Sequence, residues 1–176
     1  MIRGSFSLLV APCRHGRLTG LLYDGETEID YVGGQADLEK RLIRGIENPD
    51  QRFREDPLRM MRAVRLGCQL GFDIDPETFT AMGRNSSLIN QISPERIRDE
   101  LLKTLLTRHP AKGIRQMYQA GLLRFILPEL ADCHGFDQVN PHHTQDIFGH
   151  IMTVVENTPP EQNLRLAALL HDVGNP

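Results

Sequence analysis

An all-α chain entered by one short β-hairpin is the fold class this sequence predicts, on three observations. Apolar residues recur at three- and four-residue steps, in Leu58, Met61, Val64 and Cys68 and again in Ile97, Leu101 and Leu105, which is the spacing of a buried helix stripe. Asp75-Pro76-Glu77 and Ser93-Pro94-Glu95 each open with a capping residue followed by proline at the first helical position. Strand-like runs flank a turn signal at the start, where Leu21-Leu22-Tyr23 and Ile29-Asp30-Tyr31-Val32 enclose Asp24-Gly25.

Taken in order, the hairpin ends at Gly33-Gly34 and should be the weakest part of the fold, because a lone two-stranded ribbon buries too little. Ala36 to Lys40 predict a short helix. Glu55 to Arg65 predict a helix with the Leu58 stripe buried and the arginines opposite it. Helices follow from Pro76 and Pro94, and another over Gly113 to Gly121, where glycine terminates it. Pro128 breaks the next apolar run, and a polar, irregular stretch between Asp132 and Asn140 marks a boundary before a helix over Gln162 to Leu170. The organisation read from this is an N-terminal part over 1–34, a helical body over 35–132 and a further unit beginning at 133.

Composition bounds the function. A chain of 176 residues with 40% hydrophobic content supports a modest core. The net charge of −3 argues against a basic footprint over the whole molecule, yet residues 41–65 gather seven arginines against four acids, so the positive charge is local. Cys13, Cys68 and Cys133 are widely spaced with no C-x-x-C pair, which suggests neither a zinc knuckle nor a disulfide framework and fits a reducing cytoplasm. No stretch approaches the roughly twenty apolar residues of a membrane span, so no membrane partner is expected.

The most informative stretch is Glu55-Asp56-Pro57-Leu58-Arg59-Met60-Met61-Arg62-Ala63-Val64-Arg65, introduced by Arg52-Phe53-Arg54. On one continuous helix Glu55 and Arg59 are four residues apart and Asp56 and Arg59 three, so both carboxylates can reach one guanidinium. A carboxylate only accepts and a guanidinium only donates in a fixed fork, so the pair presents an acceptor and a donor side by side, as the Watson–Crick edge of a base requires. The bland alternative is a local ion pair on a solvated helix. Arg96 and Glu100 stand four apart and can pair in the same way, and Lys103, Lys112 and Arg115 are candidates for an RNA backbone. A second constellation gathers His142, His143, Asp146 and His150 with His171-Asp172, although histidine clusters are more often surface sets than metal sites.

The arginine-rich run resembles the neck motif of the tRNA nucleotidyltransferase and poly(A) polymerase family. The likeness extends back through Asp30-Tyr31-Val32-Gly33-Gly34 and forward through Ser93-Pro94-Glu95-Arg96-Ile97-Arg98-Asp99-Glu100-Leu101, Ile126-Leu127-Pro128-Glu129-Leu130 and Leu166-Ala167-Ala168-Leu169-Leu170-His171-Asp172. The resemblance implies that Asp56 and Arg59 select CTP and then ATP, with Glu55, Arg62 and Arg65 beside them, and that Arg96 and Glu100 brace them. It implies the tRNA 3′ end as partner and Mg²⁺ as cofactor, bound in that family by a head domain ahead of the neck. It also implies that the leading hairpin is the remnant of that head, and that the last unit is the start of an HD domain, in which His150, His171 and Asp172 would hold Ni²⁺ or Mn²⁺. No Asp-x-Asp stands before the neck here, so the chain reads as an internal fragment that does not catalyse transfer alone. The other readings are a poly(A) polymerase fragment, an HD-type metal phosphohydrolase and a non-catalytic RNA-binding module.

Overall fold

The computed structural model describes residues 21–23, 28–30, 33–135 and 146–174. The hairpin is present: β1 (Leu21–Tyr23) pairs antiparallel with β2 (Glu28–Asp30), Leu22 opposite Ile29. The Asp30 carboxylate then accepts the N–H groups of Gly34 and Gln35, both at 2.9 Å, and anchors the start of α1 (Gly34–Glu39). Of the residues singled out from the sequence, Cys13, Tyr31, Val32, His142 and His143 lie outside the described residues.

β3 (Leu42–Ile43) pairs in parallel with β4 (Asp73–Ile74), across the connection formed by α2 (Pro49–Glu55) and α3 (Leu58–Leu70). Two-residue strands are too short to display a period of two, so nothing in the local pattern announces them. Helices otherwise carry the fold: α4 (Pro76–Asn85), a 3-10 turn over Ser86–Gln91, α5 (Pro94–Leu105) and α6 (Pro110–Gln119). After these come α7 (Leu123–Ile126), α8 (Pro128–Asp132), α9 (Ile147–Asn157) and α10 (Gln162–Leu170).

The predicted helix starts behave differently. Asp75 caps α4, its carboxylate accepting the Thr78 N–H at 3.0 Å, whereas Ser93 makes no side-chain cap on α5. Gly71 and Gly121 follow α3 and α6 with φ of 68° and 70°, the left-handed conformation that glycine adopts freely.

The stripe Leu58, Met61, Val64 and Cys68 is buried as its spacing predicts, and α3 lies at the centre of the core against α5 and α6. A Cβ at Gly113 of α6 would meet Thr104 Cγ2 at 2.6 Å and Cys68 Sγ at 3.2 Å, so the three helices meet where only glycine fits. Burial pushes the Cys68 thiol up to about 11, which leaves it unreactive near neutrality. Helices α9 and α10 pack on α6 and α5, and Phe148, Ile151 and Leu169 join the same hydrophobic core. No helix among the described residues is long and apolar enough to cross a membrane.

Candidate functional site

The neck run is two helices, not one. Asp56 precedes Pro57, and proline drives the preceding residue out of the helical region. Asp56 accordingly sits at φ −148°, ψ 96°, ending α2 at Glu55, and α3 restarts at Leu58. The break redistributes the carboxylates that a continuous helix would have brought together on Arg59.

Glu55 alone goes to Arg59. Arg59 is buried, and its Nη1 donates to Glu55 Oε2 at 2.9 Å and to the Arg52 carbonyl at 3.0 Å. Its buried Nε has no hydrogen-bond partner among the described residues. Hydrogen bonds from Arg59 and then Arg52 hold the Glu55 carboxyl below its ordinary value, so it is ionised at neutral pH.

Asp56 turns away from Arg59. Its Oδ1 accepts the Leu58 N–H at 3.3 Å and faces Arg96 Nη2 at 3.5 Å, while Oδ2 receives Arg62 Nη1 at 3.4 Å. The expected pairing of Arg96 with Glu100 is therefore replaced by a cross-helix contact of Arg96 with Asp56. Glu100, 5% exposed, takes Arg65 Nε at 2.7 Å, Lys103 Nζ at 3.2 Å and, more distantly, Arg62 Nε at 4.0 Å. Asp56, Arg62, Glu100 and Arg65 thus form one alternating chain of charge from α2 to α5. Of the other cations proposed for RNA, Lys112 is paired with Asp73 at 2.8 Å and Arg115 is exposed, its guanidinium 5.8 Å from the Phe148 ring.

Asp73-Ile74-Asp75 spells an Asp-x-Asp after the neck, but its carboxylates are committed elsewhere, Asp73 to Lys112 and Asp75 to the α4 cap.

At the other end, α9 presents His150, and the turn after α10 presents His171 and Asp172. One ligand atom from each lies within 4.8 Å of the other two. The two Nε2 atoms are 3.4 Å apart, and Asp172 Oδ2 stands 3.7 Å from His150 Nε2 and 3.4 Å from His171 Nε2. His171 Nδ1 lies 2.8 Å from the Ala168 carbonyl; a proton there fixes the tautomer that leaves Nε2 as a lone-pair donor. Asp146, also in the predicted cluster, instead caps α9 through the Gly149 N–H at 2.7 Å and accepts the Gly135 N–H at 2.9 Å.

Residues 71–133, from the end of α3 through α8, match a family profile described as the probable RNA and SrmB-binding site of polymerase A. A CC-adding tRNA nucleotidyltransferase of Thermus thermophilus is 35% identical over 175 residues, covering 93% of this chain and 39% of that protein. The chain belongs to the tRNA nucleotidyltransferase family. A CCA-adding enzyme of Levilactobacillus brevis, another relative, is 45% identical over 106 residues, 60% of this chain and 26% of that protein. Among solved structures, the Bacillus stearothermophilus CCA-adding enzyme in complex with CTP superposes with a TM-score of 0.68 at 29% identity, over 85% of this chain and 35% of that one. The chain therefore spans between about a quarter and two-fifths of these curated relatives, 26% and 39%.

Sequence reasoning missed Arg52 in this site. Its signal was available in outline, since residue 52 lies seven positions, about two helical turns, before Arg59. The helix break hides the relation, because Arg52 reaches Arg59 through its carbonyl and through Glu55.

Proposed function

We propose that this chain is the neck and body portion of a CCA-adding tRNA nucleotidyltransferase and that it selects the incoming base for tRNA 3′-end maturation. Residues 35–132 form that portion, and 133–176 begin an HD-type region. The observation that carries the reading is the way Arg59 is held: Nη1 donates to Glu55 Oε2 and to the Arg52 carbonyl, which fixes the plane of the guanidinium. A guanidinium held this way is a pre-set donor for a base acceptor, and Asp56, on the far side of the helix break and shared with Arg62 and Arg96, is the carboxylate assigned as acceptor. In the working enzyme CTP and ATP are the nucleotides, with the tRNA end as the second substrate. The profile match over 71–133 supports an RNA contact along α4 to α8. Magnesium does not fit the described residues, where the single convergent ligand group is a His-His-Asp set, rather than the oxygen-rich donors that magnesium requires. Base selection is the step this reading assigns to these residues.

Arg59→Ala should erase the preference of the chain for CTP over UTP, a loss of about tenfold, within the range for one well-made base contact. NMR titration of the chain with each nucleotide checks it. Equal binding of CTP and UTP by the unaltered chain would sink the reading.

A second reading is favoured by the convergence at His150, His171 and Asp172. Two imidazoles and one carboxylate suit Ni²⁺ or Mn²⁺, and such an ion would give this end of the chain the Lewis-acid centre of a phosphohydrolase. Calorimetric titration with Ni²⁺ should show one site, and Asp172→Ala should weaken it by more than the roughly tenfold cost of losing an outer-shell partner. Unchanged affinity in that variant would exclude the site.

A further inference from the structure

We propose that Arg52 is a positioning residue for base selection, holding Arg59 in its binding orientation from two directions; this rests on the reading of Arg59 given above. First, the Arg52 carbonyl accepts Arg59 Nη1 at 3.0 Å. Second, Arg52 Nη1 donates to both oxygens of Glu55 at 3.2 Å, and Glu55 Oε2 receives Arg59 Nη1 at 2.9 Å. Glu55 is thereby shared between two guanidinium groups and is held in place at the end of α2. Arg52 is itself tethered, because its Nη2 pairs with Glu47 in the turn before α2.

Glu47 stands at φ 59°, a left-handed conformation that costs a non-glycine residue about 1–2 kcal/mol. That conformation precedes the Asn48 cap of α2, whose side chain accepts the Gln51 N–H at 3.3 Å. The path from this turn to the base-reading group runs Glu47, Arg52, Glu55, Arg59, each link an ion pair with nitrogen of one residue on oxygen of the next or the last. Arg52 touches no base and no substrate in this scheme. It fixes the one side chain that does.

The experiment compares CTP and UTP binding by NMR titration for the full chain and three variants, with melting temperature read alongside. Arg52→Ala should reduce the CTP preference by about tenfold, the factor that one hydrogen bond to a charged group is worth, and the melting temperature is read beside it because the Arg52 side chain is only 24% exposed. Arg84→Ala is the structural control. Arg84 ties the opposite side of α2 to α4 through Asp50 at 2.6 Å, remote from the Glu55 link, and its loss should leave the preference intact. Should Arg52→Ala melt early, Glu47→Gln carries the test, because its carboxylate is 70% exposed and its loss cannot unfold the chain; a reduced preference there supports the proposal. An intact CTP preference in Arg52→Ala, with loss in Arg59→Ala, overturns the role of Arg52 and leaves the reading of Arg59 standing. Equal losses in Arg52→Ala and Arg84→Ala also overturn it, as a general loosening of α2. No preference in the unaltered chain overturns both.

Discussion

Arg165→Ala should lower the unfolding free energy by about 3 kcal/mol, through buried backbone acceptors left without donors. Arg165 is 5% exposed, and its guanidinium donates Nε to the Thr158 carbonyl at 3.0 Å and Nη1 to the carbonyls of Leu105 and Thr107, the latter at 2.7 Å. Leu105 closes α5, and the last carbonyls of any helix have no partner within it. A cation there also meets the negative end of the helix dipole. Opposite, Glu156 of α9 accepts the Ala111 N–H at 3.1 Å and faces His109 Nδ1 at 3.3 Å, at the positive end of α6. The turn between α5 and α6 is therefore clamped by a cation on one side and an acid on the other, both from α9 and α10. Arg165→Lys should restore little, since one ammonium cannot span three carbonyls that the planar fork reaches. Urea unfolding checks the claim, with a single transition expected because the clamp and the shared core make α9 and α10 part of the body's cooperative unit. A separate early transition for these helices would contradict it.

The same clamp has a consequence for the histidine set. His150 is carried by α9 and His171-Asp172 by the end of α10, the two helices that Glu156 and Arg165 fix to the body. Their mutual placement is thus set by packing against α5 and α6, and the ligand atoms gain their proximity from residues far from them in sequence.

How much of this was legible depends on how local the cause is. The cap and proline of Asp75-Pro76, the buried stripe of α3 and the span of α10 were readable because each is decided within a turn or two of helix. The hairpin was readable for the same reason. The break at Asp56 was also local, since the residue before a proline resists the helix, but helical spacing of the charges on either side argued the other way, and the proline won. The partners of Asp56 were not local: Arg96 arrives from α5, forty positions along, and no pattern near Asp56 announces it. The β3–β4 pair joins residues about thirty apart through strands too short to have a period. Arg165 lay in plain view inside Leu164-Arg165-Leu166-Ala167-Ala168. A charged residue on an apolar helix face is either exposed or fully partnered, and only the packing of α10 on α5 decides which. For the site as a whole, the residue types were visible and their pairing was not.

Glu100→Gln should cost about 2–3 kcal/mol at neutral pH, somewhat less than the roughly 3–5 kcal/mol typical of breaking a fully buried ion pair. The discount follows from its partners: the carboxylate is buried, but the side chains of Arg65 and Arg62 are 20% and 33% exposed and can regain water. Burial pushes the Glu100 carboxyl upward, but hydrogen bonds and charge from Arg65 and then Lys103 outweigh it and hold the group below its ordinary value. A carboxyl lowered on folding contributes stability that is complete above its unfolded value, about 4.3, and lost as pH falls through the folded value. The penalty of Glu100→Gln should therefore be full at pH 7 and shrink below about pH 4, because the parent protein itself loses the charge there. Urea unfolding of both forms at the two pH values measures this directly. Asp50, Glu55 and Asp146 are lowered as well, so the parent retains other acid-sensitive carboxylates, and a penalty that stayed constant with pH would assign the acid sensitivity to them and not to Glu100. The effect reaches the candidate site because Arg62 stands between Glu100 and Asp56. On the base-selection reading proposed above, protonating or removing Glu100 leaves Arg62 to Asp56 alone, and that carboxylate is then engaged more fully within the protein.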